Sequence, residues 1–380
     1  MKDDVYNAFV LVPLYIGMFY REDVHIHGCV SKRLYKNVMN YIQRILCDFS
    51  DDLSRVDVHV DGFKVADGKP EIIGAGLSCG VDSLSTLYDR FVKEDDPDYR
   101  VNGLFFFNTG WHGDYYDEHT MKLCMEIYNI NKPAADELGL PLCMVDSNIH
   151  AFIYKVYPLG KAVRHMGYLV NYSCVLGLQK GVKKYYVASG RSYEAIKLYS
   201  QSAHDHDLSG FTDSYFVPLV RTEKIELIID GCQYERTQKT ERISDWDIAR
   251  KYLSPCDAVL GKPEGLHNCS KCYKCLRTLI AIEALGKLED FFSVFDLDTY
   301  RKQSFMNKCD VVLKRNSEAH QHDDYNFCIK HGLKLPSPFQ ASMYFLSRWL
   351  WYRGLALPKK ILRKIIGDKF YDAIKHTLKR

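Results

Sequence analysis

Ser78-Cys79-Gly80-Val81-Asp82-Ser83 and the set Cys256, Cys269, Cys272 and Cys275 are two groups whose residue types and spacing fit a definite chemistry. The first is a hydroxyl-rich turn with one glycine. Between a strand and a helix, such a turn gathers backbone N–H groups and the positive helix end around one small volume, which suits a phosphate or pyrophosphate. Ser78 and Ser83 would add hydroxyl donors, and Asp82 would hold a Mg²⁺ or orient a bound nucleotide. No Lys follows the glycine, so this is not the G-x-x-x-x-G-K-[ST] loop. An ordinary left-handed turn without a ligand fits the same six residues, and short matches of this kind arise by chance.

Cys269-Ser270-Lys271-Cys272-Tyr273-Lys274-Cys275 is a pair of overlapping C-x-x-C turns, with Cys256 thirteen residues upstream. Each turn directs its sulfurs to one point, so four thiolates at this spacing can surround a tetrahedral Zn²⁺. Lys271 and Lys274 would offset the excess negative charge. Structural zinc is the expectation, with a redox or catalytic role for the thiols as the alternative. His267 is a substitute ligand, though four Cys suffice. The other nine of the thirteen Cys are scattered and read as small buried apolar residues.

The elements that must position these groups follow from the apolar pattern. Short apolar runs at 72–77, 103–108, 142–145 and 184–188 read as strands, and 82–93, 116–138 and 162–180 read as the intervening helices. Such alternation predicts an α/β fold, a parallel sheet with helices on both faces. Ligands of such sheets bind beyond the carboxyl ends of the strands, so the loops at 78–83, 108–112, 146–150 and 189–191 face the expected site. Residues 1–68 read as a small α/β or β-rich domain, with strands at 9–20 and 56–60, a helix at 34–45 and an end at Asp67-Gly68-Lys69-Pro70. No repeat or low-complexity segment is read.

The 380 residues are 47% apolar and 26% charged, an ordinary globular profile, which sets aside disordered and fibrous classes. Net charge is +3, but residues 341–380 hold ten Lys and Arg against Asp368 and Asp372, which leaves −5 on residues 1–340. The thirteen Cys, an odd number, and the acidic start Met1-Lys2-Asp3-Asp4 predict a cytoplasmic protein with reduced thiols and no membrane insertion.

The turn at 78–83 resembles the Ser-Gly-Gly-x-Asp-Ser loop of the PP-loop ATP pyrophosphatases, with Cys79 where that family has its first Gly. A side chain there would crowd the phosphates or supply an extra thiol. Asp207-Leu208-Ser209-Gly210-Phe211-Thr212-Asp213-Ser214 resembles the Asp-Tyr-Ser-Gly-Tyr-Pro-Asp-Cys segment of the 7-cyano-7-deazaguanine synthases. Val217-Pro218-Leu219 and Thr222-Glu223-Lys224-Ile225 are similar to that family's Pro-Leu and its Thr-Lys before a helix. The Cys cluster then follows, with Arg277 close behind its last Cys. The resemblance covers roughly residues 70–285. It departs from the family at Phe211 and Thr212, which replace Tyr and Pro, and in a longer interval between the first two Cys.

The resemblance implies an adenine-nucleotide α-hydrolase (PP-loop) domain at 69–289 with a Cys₄ zinc knuckle, preceded by the domain at 1–68 and followed by a helical, basic extension at 290–380. It implies a two-step ligase: a substrate carboxylate attacks the α-phosphate of ATP, and an amine then displaces AMP from the acyl-adenylate. Ser78, Cys79, Gly80, Val81, Asp82, Ser83 and Asn108 would bind ATP with its Mg²⁺, Asp82 and Ser83 acting in catalysis. Asp207, Ser209, Gly210, Phe211 and Asp213 would lie over the deazapurine, Phe211 stacking and Asp213 accepting from N–H donors; a surface Asx turn is the alternative for that segment. The substrate implied is 7-carboxy-7-deazaguanine or a similar carboxylate. Ammonia gives the amide and nitrile. The extra segments suggest a macromolecular amine instead, such as the N-terminus of an operon partner protein, since relatives occur in queuosine biosynthesis and in anti-phage defence operons. A homodimer is also expected.

Weaker candidates are His112, Asp114 and Glu118 after the second strand, Lys161, Arg164 and His165 at a helix start, and the run His204-Asp205-His206-Asp207 as a metal recruiter. Trp349, Trp351, Tyr344 and Phe345 precede a basic amphipathic segment, Lys359 to Ile366, that fits a nucleic acid, an acidic partner or a membrane surface, or a terminal helix docked on its own domain. Two further functions remain open: a PP-loop sulfur-transfer enzyme acting on tRNA, for which Cys79 and the basic tail speak, and a zinc-stabilised nucleotide-binding module without turnover.

Overall fold

A computed structural model describes residues 5–110, 116–157, 166, 168–199, 208–256, 263 and 265–352. In chain order, α1 (Leu11–Tyr20) and β1 (Val24–Val30) lead to α2 (Lys32–Asn37) and α3 (Gln43–Phe49), joined by a π-helical turn at Val38–Ile42, and then to β2 (Val58–Phe63). β1 and β2 form a two-stranded parallel sheet. The segment 9–20, expected as strand, is mostly the helix α1. Leu11, Val12, Leu14, Tyr15 and Met18 are buried around most of the circumference, so it lacks the one-sided stripe that marks a surface helix. An apolar run of this length does not reveal its period. Pro13 falls in the first turn, where its missing N–H has no helical partner to lose.

β3 (Ile72–Gly76), α4 (Val81–Leu87), β4 (Gly103–Asn108), α5 (Glu118–Leu138), β5 (Leu142–Asp146), α6 (Ile149–Val156), α7 (Leu169–Gly177), β6 (Val182–Ala188), α8 (Tyr193–Tyr199), α9 (Leu208–Phe216) and β7 (Glu226–Asp230) follow. Their five strands form one all-parallel sheet in the order β5-β4-β3-β6-β7. The chain therefore starts at the central strand, winds to one edge, and crosses back to fill the other half. β4 is almost wholly buried, as expected for a parallel strand covered on both faces. The four expected strands are present. A fifth, β7, follows Thr222-Glu223-Lys224-Ile225, where the resemblance led us to expect a helix.

Of the described residues, those up to Ser78 and from Asp82 to Tyr234 form one unit, and Cys79–Val81 with Glu235 onward form a second. This division differs from the expected boundaries at 68 and 289. Val12, Leu34 and Val58 share one apolar core with Phe105, Tyr172 and Leu227, so the described part of the N-terminal segment, residues 5–68, completes the sheet's core. The second unit is helical: α10 (Arg236–Ile243), α11 (Asp247–Tyr252), α12 (Tyr273–Ala284), α13 (Leu297–Lys314), α14 (Ala319–Lys330) and α15 (Pro338–Tyr352). Cys309, Val312, Ala341 and Tyr344 make one of its cores. Among the described residues no helix is long and apolar enough to cross a membrane. The basic segment at 359–366 and Lys161, Arg164, His165, His112, Asp114 and His204–Asp207 lie outside the described residues.

Candidate functional site

β3 and β6 are neighbours at the centre of the sheet, and the connections that leave them run to opposite edges. That is the topological switch point of a parallel sheet, where the loops diverge and open a crevice beyond the strand ends. The turn at 78–83 leaves β3 at this position. Ser83 closes it: its Oγ donates to the Gly76 carbonyl (2.9 Å) and accepts from the Ser78 N–H (3.2 Å). The Ser83 hydroxyl, expected in catalysis, is thus buried and committed to the main chain. Ser78 is exposed, and Gly80 and Asp82 are half-buried.

Cys79 takes φ +52°, in the left-handed region where Gly is at ease. This accounts for a Gly at the matching place in the loop it resembles. The Cys79 side chain is fully buried, and burial pushes its thiol up to about 12. A buried, protonated thiol is a poor nucleophile, so the burial of Cys79 speaks against its use in sulfur transfer.

Asn108 and Asp146 are register partners at the ends of β4 and β5, and the buried Asn108 amide donates to the Asp146 carboxylate at 2.7 Å. Thr109 follows, its hydroxyl donating to Asn171 of α7 at 2.6 Å. Gly110 has φ +106°, and a Cβ there would meet the His150 ring at 2.2 Å. Gly110→Ala therefore combines backbone strain with overlap and is expected to cost ~2–5 kcal/mol, read as a lowered denaturation midpoint with an unchanged slope. Glu118, a weaker candidate, is exposed in the first turn of α5.

After β6, Ser189 Oγ accepts from the Arg191 N–H (3.1 Å) and donates to the Arg191 carbonyl (2.7 Å). This fixes a tight turn in which the Arg191 guanidinium lies 4.8 Å over the Phe211 ring. The segment 208–216, expected as an open loop over a base, is the helix α9, and Asp207 lies outside the described residues. Buried positions 211, 212, 213 and 216 sit at helical spacing. Phe211 is 5% exposed beneath the guanidinium, so its ring is not an open stacking platform. Asp213 is buried and accepts from the Tyr172 hydroxyl at 2.7 Å. Burial, with the Asp213 charge, holds the Tyr172 phenol well above its usual range, so it remains a donor. Tyr172→Phe removes that donor from a buried carboxylate and is expected to cost ~1–3 kcal/mol in urea denaturation. Ser209 and Gly210 lie in the first turn of α9.

Sequence reasoning missed Arg191 as an individual residue, although its loop stood on the expected edge. It also missed Tyr172 and the Arg90–Asp230 pair. Arg90 Nη2 lies 2.6 Å from the buried Asp230 carboxylate at the end of β7, with its guanidinium 5.2 Å over Tyr186. Nothing in local spacing links residues 140 apart.

In the second unit, Cys256, Cys269, Cys272 and Cys275 bring their sulfurs within 4.8 Å of one another, as the spacing predicts. Cys256 and Cys272 sulfurs are 3.8 Å apart, and those of Cys269 and Cys275 4.0 Å. A tetrahedron of Zn–S bonds of about 2.3 Å sets its sulfurs about 3.8 Å apart, so the four fit such an ion. Ser270, at φ +57°, turns the knuckle, and the Cys272 N–H donates to the Cys269 sulfur at 3.3 Å. Hydrogen bonds from Cys256 and Cys275 pull the Cys272 thiol well below its usual range, while Cys256 and Cys272 drive Cys275 up. Crowded sulfurs thus share protons that a cation would displace.

The buried Asn268 amide, which sequence reasoning missed, ties the knuckle to the carbonyls of Leu253 (2.8 Å) and Val294 (2.9 Å). Arg277, behind the last Cys, is buried with its Nε 3.5 Å from Asp324 and its Nη2 3.9 Å from Asp323. Burial pushes the Asp324 carboxyl up to about 7, against the pull of Arg277. His267 is half-buried and is not among the four grouped ligands.

No known family model matches the chain, and no curated protein or solved structure does either.

Proposed function

We propose that the chain is an ATP-dependent, AMP-forming ligase that adenylates 7-carboxy-7-deazaguanine or a similar carboxylate and passes the acyl group to an amine. The observation that carries this reading is the position of Ser78-Cys79-Gly80-Val81-Asp82-Ser83 after the central strand, at the switch point of a sheet in which the chain fills one half before the other. A doubly wound parallel sheet with its phosphate turn at this point is the architecture that the PP-loop resemblance implies. In this reading the turn's main chain, with Ser78 and Asp82, holds the triphosphate and its Mg²⁺. Ser83 shapes that cradle, and Asn108 lines its β4 side. Arg191 and Asp213 are assigned to the carboxylate substrate, and the Cys cluster to a structural zinc ion.

The chemistry asks little covalent work of the protein. A substrate carboxylate oxygen forms a bond to the α-phosphorus while the bond to the β-phosphate bridge breaks, and pyrophosphate leaves. The amine nitrogen then attacks the acyl carbon, the bond to AMP breaks, and the amine loses a proton. The negative charge that grows on the leaving pyrophosphate is what oriented N–H groups stabilise. Ammonia, or the amine of a partner protein in a defence operon, is the acceptor. Incubation with Mg-ATP, the carboxylate and ammonia tests the reading: AMP and pyrophosphate in equal amounts, with amide detected by mass, support it. ADP and phosphate, or no turnover of any carboxylate offered, count against it.

A further inference from the structure

Residues 23–28 read Asp-Val-His-Ile-His-Gly, and residues 57–62 read Asp-Val-His-Val-Asp-Gly. The two segments are β1 and β2 with the residue before each, and they pair in parallel with Val24 opposite Val58 and His25 opposite His59. Repeat and register coincide from Val24 to Ile26, and an irregularity before Cys29 then shifts the pairing by one. Side chains alternate across a strand, so Val24, Ile26 and Val58 are buried while the other row points outward. That outward row consists of Asp23, His25 and His27 on one strand and Asp57, His59 and Asp61 on its neighbour, all of them exposed.

A solvated strand face ordinarily mixes Lys, Glu, Thr and Ser. Here the six outward positions from Asp23 to His27 and from Asp57 to Asp61 all hold residue types that ligate metals, and exposed Phe63 ends the row. The His25 and His59 rings stack at 4.5 Å. His59 Nε2 lies 3.9 Å from an Asp23 carboxylate oxygen, and His27 Nδ1 lies 3.9 Å from Asp61. At 3.9 Å neither pair is a hydrogen bond, but a change of rotamer would let each carboxylate orient its imidazole through one ring nitrogen while the other faces an ion.

We propose that this face of β1 and β2 is a second metal site, with His25, His27 and His59 as nitrogen ligands and Asp23 and Asp61 as orienting or ligating carboxylates. Neighbouring strands lie about 4.8 Å apart, which lets the imidazoles of His25 and His59 reach one ion. The side chain of His27 is 89% exposed and that of His59 53%, so both can change rotamer to converge without disturbing the core. An imidazole-rich set selects late first-row divalent cations, Zn²⁺, Ni²⁺ or Cu²⁺, over Mg²⁺ and Ca²⁺. The site is independent of the ligase reading and of the Cys cluster.

Zinc titration of the full chain by calorimetry, starting with the Cys cluster filled, tests it. One further equivalent should bind, and excess Mg²⁺ should not displace it. The double variant His25→Asn/His59→Asn should lose that equivalent and keep the first. Asp61→Asn should weaken it ~10–100-fold, as loss of an orienting partner does. All three residues are exposed, and an unchanged melting transition and circular dichroism spectrum report that each variant is folded. Absence of a further equivalent in the wild type, its persistence in the double variant, or displacement by Mg²⁺ would overturn the assignment.

Discussion

Asp82→Ala is expected to reduce adenylation by ~10²–10³-fold or more, the scale on which one oriented group at a developing charge acts. Asp82 stands in the first turn of α4, on the turn that leaves the central strand at the switch point. Under the proposed reading its carboxylate holds the Mg²⁺ that accompanies the leaving pyrophosphate. Asp82→Asn keeps the shape and removes the charge, so it should lose nearly as much activity. Asp82 is half-buried, so its replacement is expected to cost activity far more than stability. Ser83→Ala should behave differently. It opens a buried hydrogen-bonded turn, so it should lower the melting temperature together with activity. Steady-state assays paired with thermal melts separate the two. Wild-type rates in Asp82→Ala would remove this residue from the chemistry.

Removal of the metal expected on the Cys cluster is the second large effect. Zinc that orders small domains contributes on the order of 10 kcal/mol to their folding. The second unit also has apolar cores of its own, such as Cys309, Val312, Ala341 and Tyr344, so it should be weakened severely rather than abolished. Cys275→Ser, at a buried ligand in the first turn of α12, should release the metal and lower the melting temperature of that unit by tens of degrees. Cys124→Ser, at a buried Cys of α5 outside the cluster, should bind as much zinc as the wild type. Metal analysis by mass spectrometry and calorimetric melts with and without chelator read both. A wild-type chain that carries no zinc and melts alike with chelator would refute this.

The sheet was legible in the sequence because its strands are short apolar runs separated by amphipathic segments. Four of its five strands and the edge that carries the candidate site follow from that pattern. The Cys cluster was legible for a different reason, since its ligand spacing is local. α1 was misread because a helix buried on most sides has no polar stripe to show its period. α9 was misread because Ser209, Gly210 and Asp213 are turn-forming types, and tertiary burial of Phe211, Thr212 and Phe216 overrides them. The pairing of Tyr172 with Asp213 and of Arg90 with Asp230 depends on topology and leaves no local trace. The repeat in β1 and β2 was overlooked because its two copies are only six residues long. It acquires meaning once parallel pairing brings them into register.

ATP–pyrophosphate exchange tests the central claim most directly, because it reports adenylation without any acceptor amine. Labelled pyrophosphate should enter ATP when Mg-ATP and 7-carboxy-7-deazaguanine or a related carboxylate are both present. It should not enter when the carboxylate is omitted or Asp82 is Ala. Exchange independent of the carboxylate, or none in zinc-loaded, folded protein that binds both substrates, would contradict an acyl-adenylating ligase.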